Sequence, residues 1–276
     1  MVSENVELAQ VREYWNKNIC ETQEHLLKSP RKFKTVSSSP LYSREYFEDI
    51  ERHRYTINPE IFAFVQFTRY RDKKVLEVGV GSGVDFIQWC RAGAEAYGID
   101  LTPNGIEHAK RWLREYSLNG NLAVGDAEHL LFADDTFDLV YSWGVLHHTP
   151  NTHKAIQECI RVCKPNGEVK LMLYNRRSLA VFGVWLHVLV RCRKFATLSE
   201  ALANGIESVG TKAFTKAEVR EICKPLSVRV VEIKAKTNKY DFLFRYPLPI
   251  RVIAYMFNWL SLFNDGFFMT VWLRKE

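Results

Sequence analysis

The sequence predicts an α/β protein with a mostly parallel sheet, helices on both faces, and helical cap segments at its N- and C-terminal ends. Between residues 73 and 175, short runs rich in β-branched and aromatic residues alternate with stretches of helical periodicity. On either side of this region, apolar residues recur mainly with a helical period. A chain of 276 residues is long enough to form one sizeable core with an appended cap.

The strands and helices follow from these periodicities. We predict strands at 74–78, 96–100, 122–124, 137–142 and 168–174, separated by helices at 85–93, 105–116 and 152–162. Later runs at 228–234 and 267–273 are predicted to extend the same sheet, and further helices are predicted at 6–18, 44–66, 178–203 and 250–265. The expected organisation is an N-terminal helical cap segment at 1–72 and a domain at 73–276. That domain has its core at 73–175 and a helical cap insertion at about 176–215.

Composition excludes several classes of protein. The formal net charge of +6 is mild, and no basic face or module typical of nucleic-acid binding is visible. The six cysteines are scattered without metal-ligand spacing, and no carboxylate cluster indicates a divalent cation, so we predict no metal. The N-terminus is polar, and the longest apolar run is too short to span a bilayer. These features predict a cytoplasmic protein, with peripheral membrane contact left open.

A glycine-rich turn lies where the first strand ends and a helix begins, from Glu77 to Gly83. Glycines at Gly79, Gly81 and Gly83 permit positive φ and close approach of a ligand to the backbone. A turn required only by the fold is the alternative. The dinucleotide fingerprint needs a glycine at position 84, where this chain has Val84, so a nicotinamide cofactor is disfavoured.

Acidic residues follow the next two strands. Asp100 ends the second strand, where a carboxylate can accept hydrogen bonds from ribose hydroxyls; capping the following helix is the alternative. Asp126 follows the third strand and could bind an adenine amino group, with the N–H of Ala127 donating to a ring nitrogen. From these residues alone, an Asx turn is the favoured interpretation of Asp126.

Two histidines, His147 and His148, follow the fourth strand, at the edge of the sheet where ligands bind. A neutral histidine there could deprotonate a hydroxyl or amine. Packing against a cofactor or capping a helix is the alternative for each. Of the two, we expect His147 to be the base, because it is closer to the end of the strand.

These segments occur in a recognisable order. Together they resemble the successive motifs of class I, Rossmann-like, S-adenosylmethionine-dependent methyltransferases of the small-molecule type, especially the group that includes quinone C-methylating enzymes. The resemblance covers residues 73–175 and includes the glycine turn, Asp100, 125–127, 137–140, 145–148 and Lys164-Pro165-Asn166-Gly167. Asn166 replaces the usual glycine of the last motif, and asparagine tolerates the same left-handed conformation.

The resemblance implies methyl transfer from S-adenosylmethionine to an oxygen, nitrogen or carbon nucleophile of a small metabolite, with His147 or His148 as the base. It implies a cofactor site formed by Glu77, Gly79, Gly81, Gly83, Asp100, Leu101, Asp126, Ala127 and Ser142. The alternatives are a nucleotide-binding oxidoreductase and a non-catalytic module that binds the cofactor. The oligomeric state cannot be read from the sequence.

The flanking helices give information about the acceptor, which is the molecule that receives the methyl group. The apolar helices at 178–203 and 250–265 could form an ordinary cap, wall a pocket for a lipophilic acceptor, or lie on an anionic membrane surface. We expect the first two together, with both helices bordering the acceptor pocket and Trp185, Phe257 and Trp259 shaping it. Residues 42–55 are expected to fold over the cofactor, since in related enzymes such a segment acts as a gate and an arginine there could pair with the cofactor carboxylate. A solvated helix with ordinary ion pairs is the alternative for each of these residues.

Overall fold

The structure of the protein is a computed structural model. It describes residues 2–19, 22, 39–192, 197–205, 208, 210–237, 241, 248–259 and 265–276.

A single sheet organises the described part of the chain. Its strands are β1 (Lys74–Val78), β2 (Glu95–Asp100), β3 (Asn121–Val124), β4 (Phe137–Trp143), β5 (Cys163–Tyr174), β6 (Val228–Lys236) and β7 (Phe268–Lys275). They lie in the order β3-β2-β1-β4-β5-β7-β6. The first five strands run parallel, while β7 is antiparallel to both β5 and β6. The predicted mostly parallel sheet is therefore confirmed, and the two late strands do extend it.

The described helices are α1 (Val2–Lys17), α2 (Arg44–Ile57), α3 (Glu60–Val65), α4 (Phe86–Arg91), α5 (Pro103–Glu115), α6 (Thr152–Val162), α7 (Leu179–Cys192), α8 (Leu198–Gly205), α9 (Lys216–Cys223) and α10 (Leu248–Trp259). Side-chain caps fix several of their starts. Thr102 accepts a hydrogen bond from the N–H of Gly105 at the start of α5, and Asn151 accepts one from Lys154 at the start of α6. Such caps satisfy backbone donors that a helix leaves without intrahelical partners.

Two of the predicted helices are wrong in extent. The helix expected at 44–66 ends at Ile57 and resumes at Glu60. Pro59 explains the break, because it has no N–H and disfavours the helical conformation in the residue before it. Accordingly, Asn58 has φ −126° and ψ 61°. The helix expected at 178–203 is divided into α7 and α8, and residues 193–196 between them lie outside the described residues.

Apolar side chains cover both faces of the sheet. One cluster includes Trp89, Trp112 and Tyr141, and the other includes Ile156 and Leu171. Successive residues of β4 alternate between the two clusters, as the period of two in a strand requires. Cys159 and Cys163 are both buried, and neither forms a disulfide.

A charged cluster joins the N-terminal segment to the sheet. Glu168 of β5 is buried and accepts hydrogen bonds from Arg69, Tyr70 and Arg274. Lys170, also buried, donates to the carbonyl oxygens of Phe64 and Val65 at 2.9 and 3.2 Å, near the C-terminal end of α3. Burial lowers the pKa of Lys170 to about 8, against the opposing effect of Glu168. Residues 64–70 are thus fastened to β5 by polar contacts as well as by packing.

Among the described helices, none is both long enough and apolar enough to cross a bilayer.

Candidate active site

The glycine turn after β1 has the conformation that its sequence predicts. Gly79, Gly81 and Gly83 have φ of 83°, 56° and 91°, in the left-handed region that favours glycine. A Cβ atom at Gly79 would meet the side chain of Val145 at 2.2 Å, so this glycine is required by packing. A Cβ atom at Gly81 would meet nothing within 4 Å. Gly81 is therefore the glycine that leaves open space for a ligand.

Asp100 supports this turn directly. One carboxylate oxygen accepts a hydrogen bond from the N–H of Gly81 at 2.8 Å. The other accepts from the N–H and the hydroxyl of Thr102, at 2.8 and 2.6 Å. Thr102, rather than Asp100, caps α5. Burial raises the pKa of the Asp100 carboxyl, while these three hydrogen bonds lower it.

The loop after β3 is an Asx turn, because Asp126 accepts a hydrogen bond from the N–H of Glu128 at 2.9 Å. Its second carboxylate oxygen lies 3.0 Å from Nδ1 of His129. The structural interpretation of Asp126 is therefore correct. It does not exclude the ligand-binding one, since Asp126 and Ala127 both face the cavity described next.

One cavity collects most of the predicted residues at the carboxyl edge of β1, β2 and β4. It contains about 1050 Å³ of space that protein atoms do not fill, part of it open to solvent. The predicted residues on its wall are Glu77, Gly79, Gly81, Asp100, Leu101, Asp126, Ala127 and His148. Residues from four separate loops, which follow β1, β2, β3 and β4, thus meet in one site, as the sequence spacing predicts.

Gly83, Ser142 and His147 are not among the described residues that line this cavity. A Cβ atom at Gly83 would lie 2.8 Å from Cβ of Ala109, so this glycine allows α5 to pack against the turn. Ser142 is buried and donates its hydroxyl hydrogen to the carbonyl of Val78 at 2.8 Å, which ties β4 to β1. These residues support the site from behind its wall.

His147 and His148 have different environments, although they are adjacent in a 3₁₀ turn (Leu146–His148). His147 is fully buried, its ring centroid lies 3.8 Å from that of Tyr174, and neither ring nitrogen has a hydrogen-bond partner among the described residues. Burial, helped by His148 and Lys212, lowers its pKa well below the usual range. His148 faces the cavity. The geometry therefore favours His148 as the base, which reverses the order expected from the sequence.

The outer wall of the cavity comes from α1 and the residues just after it. Leu8, Val11, Trp15 and Ile19 line it, and the ring of Trp15 lies 5.0 Å from that of His148. Asn104 at the start of α5 holds this segment, because its N–H and its side-chain amide donate to Asn16 at 3.2 and 2.9 Å.

The expectation that the helices at 178–203 and 250–265 border the pocket is wrong for the described residues. None of those that line the cavity belongs to α7, α8 or α10. Trp185 of α7 instead lies beside Phe182, and the side chains of Phe257 and Trp259 lie outside the described residues. α1 occupies the position that these helices were expected to take.

A buried polar network forms the floor of the cavity. The guanidinium of Arg54 donates to both carboxylate oxygens of Asp85, at 2.5 and 3.3 Å. Tyr55 and Tyr141 donate their hydroxyl hydrogens to Asp85 as well, at 3.0 and 2.8 Å. Arg54 and Asp85 both line the cavity. Arg54 is the arginine of residues 42–55 that lines the cavity, while Asp85 was missed because its only sequence signal is its place after the turn.

Glu77 completes this floor. The indole N–H of Trp89 donates to its carboxylate at 2.9 Å. Burial raises the pKa of Glu77 well above its usual range, Asp85 adds to the rise, and Arg54 opposes it. A buried carboxyl group of this kind favours a cationic partner, which would stabilise its ionised form.

Comparisons with known proteins identify this architecture. Residues 76–171 match the family model of a methyltransferase domain. The chain is 28% identical over 166 residues to the ubiquinone biosynthesis O-methyltransferase of Azoarcus sp. (strain BH72), covering 60% of this chain and 68% of that protein. It is 30% identical over 113 residues to norajmaline N-methyltransferase of Rauvolfia serpentina, covering 40% of this chain and 39% of that protein.

Among solved structures, magnesium protoporphyrin IX methyltransferase from Synechocystis PCC 6803, with bound SAH, has a similar fold. The TM-score is 0.59 at 15% identity, over 96% of this chain and 98% of that one. The curated relatives above are matched over roughly two fifths and two thirds of their length. The ordered motifs and the matching family model show that the chain contains a methyltransferase domain of the class I, Rossmann-like, S-adenosylmethionine-dependent kind, and the solved structure shares its fold.

Proposed function

We propose that the protein transfers a methyl group from S-adenosylmethionine to a nucleophile of a small, largely apolar molecule. One observation carries this proposal: a single cavity holds the open turn at Gly81, the carboxylates of Glu77, Asp100 and Asp126, and the ring of His148. Oxygen, nitrogen and carbon acceptors are all compatible with the fold. A histidine on the wall favours an acceptor that loses a proton.

The cavity has the features that the cofactor requires. The open space at Gly81 allows the cofactor to approach the backbone, and the buried Glu77 carboxyl suits the amino group of its methionine part. Asp100 would accept from the ribose hydroxyls, with Asp126 and Ala127 at the adenine. Arg54 would pair with the cofactor carboxylate.

Catalysis then depends mainly on position. When bound, S-adenosylmethionine supplies a methyl group on a positively charged sulfur, which is already activated for displacement. The protein holds the acceptor in line with that methyl group and keeps water away, with α1 closing the outer side. His148 takes the proton that an O–H or N–H acceptor releases as the new bond forms.

Apolar side chains on the cavity wall support the proposed polarity of the acceptor. Leu8, Val11, Trp15 and Val145 present apolar surface, and Trp15 offers a flat ring beside His148. Such a wall suits a planar, weakly polar molecule with one reactive hydroxyl or amine. α1 lines the outer side of this cavity, which supports the proposed role of residues 1–72 as a cap to the domain at 73–276.

A second part of the proposal concerns α7 and α10, which the cavity does not use. Their described surface includes exposed apolar residues, of which Val190, Leu248 and Met256 are about 60% exposed or more. Residues 176–199 and 242–264 contain seven basic and no acidic residues. Their combined excess of positive charge is therefore larger than that of the whole chain, whose net charge is +6. Apolar surface combined with local positive charge is complementary to an anionic lipid surface. We infer that these segments contact such a surface.

Vesicle co-sedimentation tests the membrane contact. The protein should sediment with vesicles containing anionic lipid and much less with purely zwitterionic vesicles. Val252→Glu and Met256→Glu should reduce sedimentation at least several-fold. Leu131→Glu is the matched control, because Leu131 is 94% exposed on a different part of the chain. Equal sedimentation of all three variants, or no preference for anionic lipid, would refute this contact.

Isotope transfer tests the activity itself. The protein is incubated with S-adenosylmethionine carrying a labelled methyl group and with pools of phenols, quinols and amines separated by polarity. We expect label in an apolar pool. A non-catalytic module would bind the cofactor and leave the label on it with every pool, and that result would refute the proposed activity while preserving the family assignment.

A further inference from the structure

Residue 208 and the segment 210–214, which the cavity does not explain, bind the backbone and the side chains of the histidine turn. The N–H of Lys212 donates to the carbonyl of His147 at 2.9 Å, and the Lys212 ammonium donates to the carbonyl of Thr149 at 2.8 Å. Phe214 donates its N–H to the carbonyl of Tyr174, also at 2.8 Å. This segment therefore holds the backbone on both sides of His148.

Two hydroxyl groups of the segment reach the ring of His148. The oxygens Oγ1 of Thr211 and Oγ of Ser208 each lie 3.0 Å from Nδ1 of His148. Both residues are almost fully buried, at 1% exposure. Neither is among the described residues that line the cavity, so these contacts lie behind the wall.

The hydroxyl hydrogen of Thr211 is already committed. Thr211 donates it to the carbonyl oxygen of Ser208 at 2.7 Å. Toward His148, Thr211 can therefore present only a lone pair. If Nδ1 also carried a lone pair, two acceptors would face each other at 3.0 Å in a buried place, which is unfavourable. The Ser208 hydroxyl can donate to an unprotonated Nδ1 or accept from a protonated one, so Thr211 decides between the two. With a proton on Nδ1, the ring donates to Thr211 and Ser208 together.

We propose that Thr211 and Ser208 are positioning residues that fix neutral His148 in the tautomer with its proton on Nδ1. In that tautomer the lone pair is on Nε2, at the opposite side of the ring from Ser208 and Thr211. A histidine base accepts its proton through such a lone pair, and a second partner on the other nitrogen sets both tautomer and orientation. The use of this lone pair in catalysis rests on the proposed function, whereas the tautomer does not.

Nitrogen-15 NMR of the full-length protein with labelled histidine tests the proposal without an acceptor. The His148 signals are identified by their loss in His148→Gln, at a pH where the ring is neutral. We expect Nδ1 to give the signal of a protonated nitrogen and Nε2 that of an unprotonated one. A protonated Nε2 in the unmodified protein would overturn the proposal.

Two variants of Thr211 test the cause of the tautomer. Thr211→Val keeps the shape and removes the hydroxyl, so the His148 signals should move toward the other tautomer or a mixture. Thr211→Ser keeps the hydroxyl and should retain the original pattern, which separates the hydrogen bond from any change in packing. S-adenosylmethionine affinity should stay within about twofold in both.

The opposite results are equally informative. If His148 keeps its proton on Nδ1 in Thr211→Val and also in the double variant with Ser208→Ala, these hydroxyls do not set the tautomer and the proposal fails. A protein that shows the expected tautomer but transfers no methyl group would leave the positioning role intact and remove the proposed function instead.

Discussion

Replacing Asp100 by alanine separates the two tasks that the structure gives this residue. Its carboxylate accepts hydrogen bonds from Gly81 and Thr102, and it faces the cavity where the cofactor ribose is proposed to bind. A hydrogen bond to a charged group contributes about 1.5–3 kcal/mol, so its loss should weaken S-adenosylmethionine binding about 10- to 150-fold. The N–H groups of Gly81 and Thr102 also lose an acceptor, which should lower the free energy of unfolding by about 1–3 kcal/mol.

Isothermal calorimetry measures the first effect, and urea unfolding of the cofactor-free protein measures the second. Thr102→Ala is the matched control. It removes the α5 cap and one of the hydrogen bonds to Asp100, so stability should fall by about 1 kcal/mol. It leaves the carboxylate in place, so affinity should change by no more than about fivefold, the equivalent of one ordinary hydrogen bond.

Two results would refute this reasoning. Unchanged affinity in a folded Asp100→Ala protein would remove Asp100 from the ribose role. Equal losses of affinity in Asp100→Ala and Thr102→Ala would mean that Asp100 acts only by bracing the glycine turn.

The remaining predictions concern the turn, the cavity floor and the buried histidine. Gly81→Val should abolish cofactor binding while the protein stays folded. Gly93→Val, at a positive φ outside the cavity, should retain affinity. Equal cofactor affinities of the two variants in calorimetry would contradict this prediction. Because the pKa of Glu77 is raised, its carboxyl group should lose a proton when the cofactor binds. Calorimetry should then give a binding enthalpy that depends on the buffer and on pH, and Glu77→Gln should abolish this dependence. The pKa of His147 is lowered in the folded state, so its contribution to stability is present above the unfolded pKa of about 6.5 and is lost as the pH falls below that value. The free energy of unfolding should then fall by up to about 1.4 kcal/mol for each pH unit. His147→Phe should remove that part of the pH dependence in urea unfolding, and an unchanged dependence would show that His147 is not its source.

The sequence predicted the central sheet well, because its signals are local. β1 was predicted at its observed bounds, Lys74–Val78, and the motifs at the ends of β1, β2, β3 and β4 placed eight predicted residues on one cavity wall. Parallel strands bring their carboxyl ends to the same edge of the sheet. Spacing along the chain is then enough to predict which side chains come together.

Contacts between distant segments could not be predicted in this way. Trp15 reaches His148 across more than a hundred residues, and Thr211 reaches it from the other side. No spacing rule links these positions, since each contact depends on how the caps fold back onto the core. The same limitation explains why α7 and α10 were assigned to the pocket that α1 closes.

The roles of the two histidines depended on side-chain direction, which their adjacent positions do not reveal. In a 3₁₀ turn, consecutive residues point in different directions. His147 therefore turns into the core against Tyr174, while His148 faces the cavity. Only the backbone path of residues 146–148 shows which histidine ring packs into the core and which one lines the cavity.

The central claim is that this cavity transfers a methyl group with His148 as the base. The most direct test is the rate of label transfer from S-adenosylmethionine to an O–H or N–H acceptor found with the polarity-separated pools, compared among the unmodified protein, His148→Ala and His147→Phe. We predict a loss of about 10²–10⁴-fold in His148→Ala at unchanged cofactor affinity, and nearly full turnover in His147→Phe. Full turnover in a folded His148→Ala protein would contradict the claim.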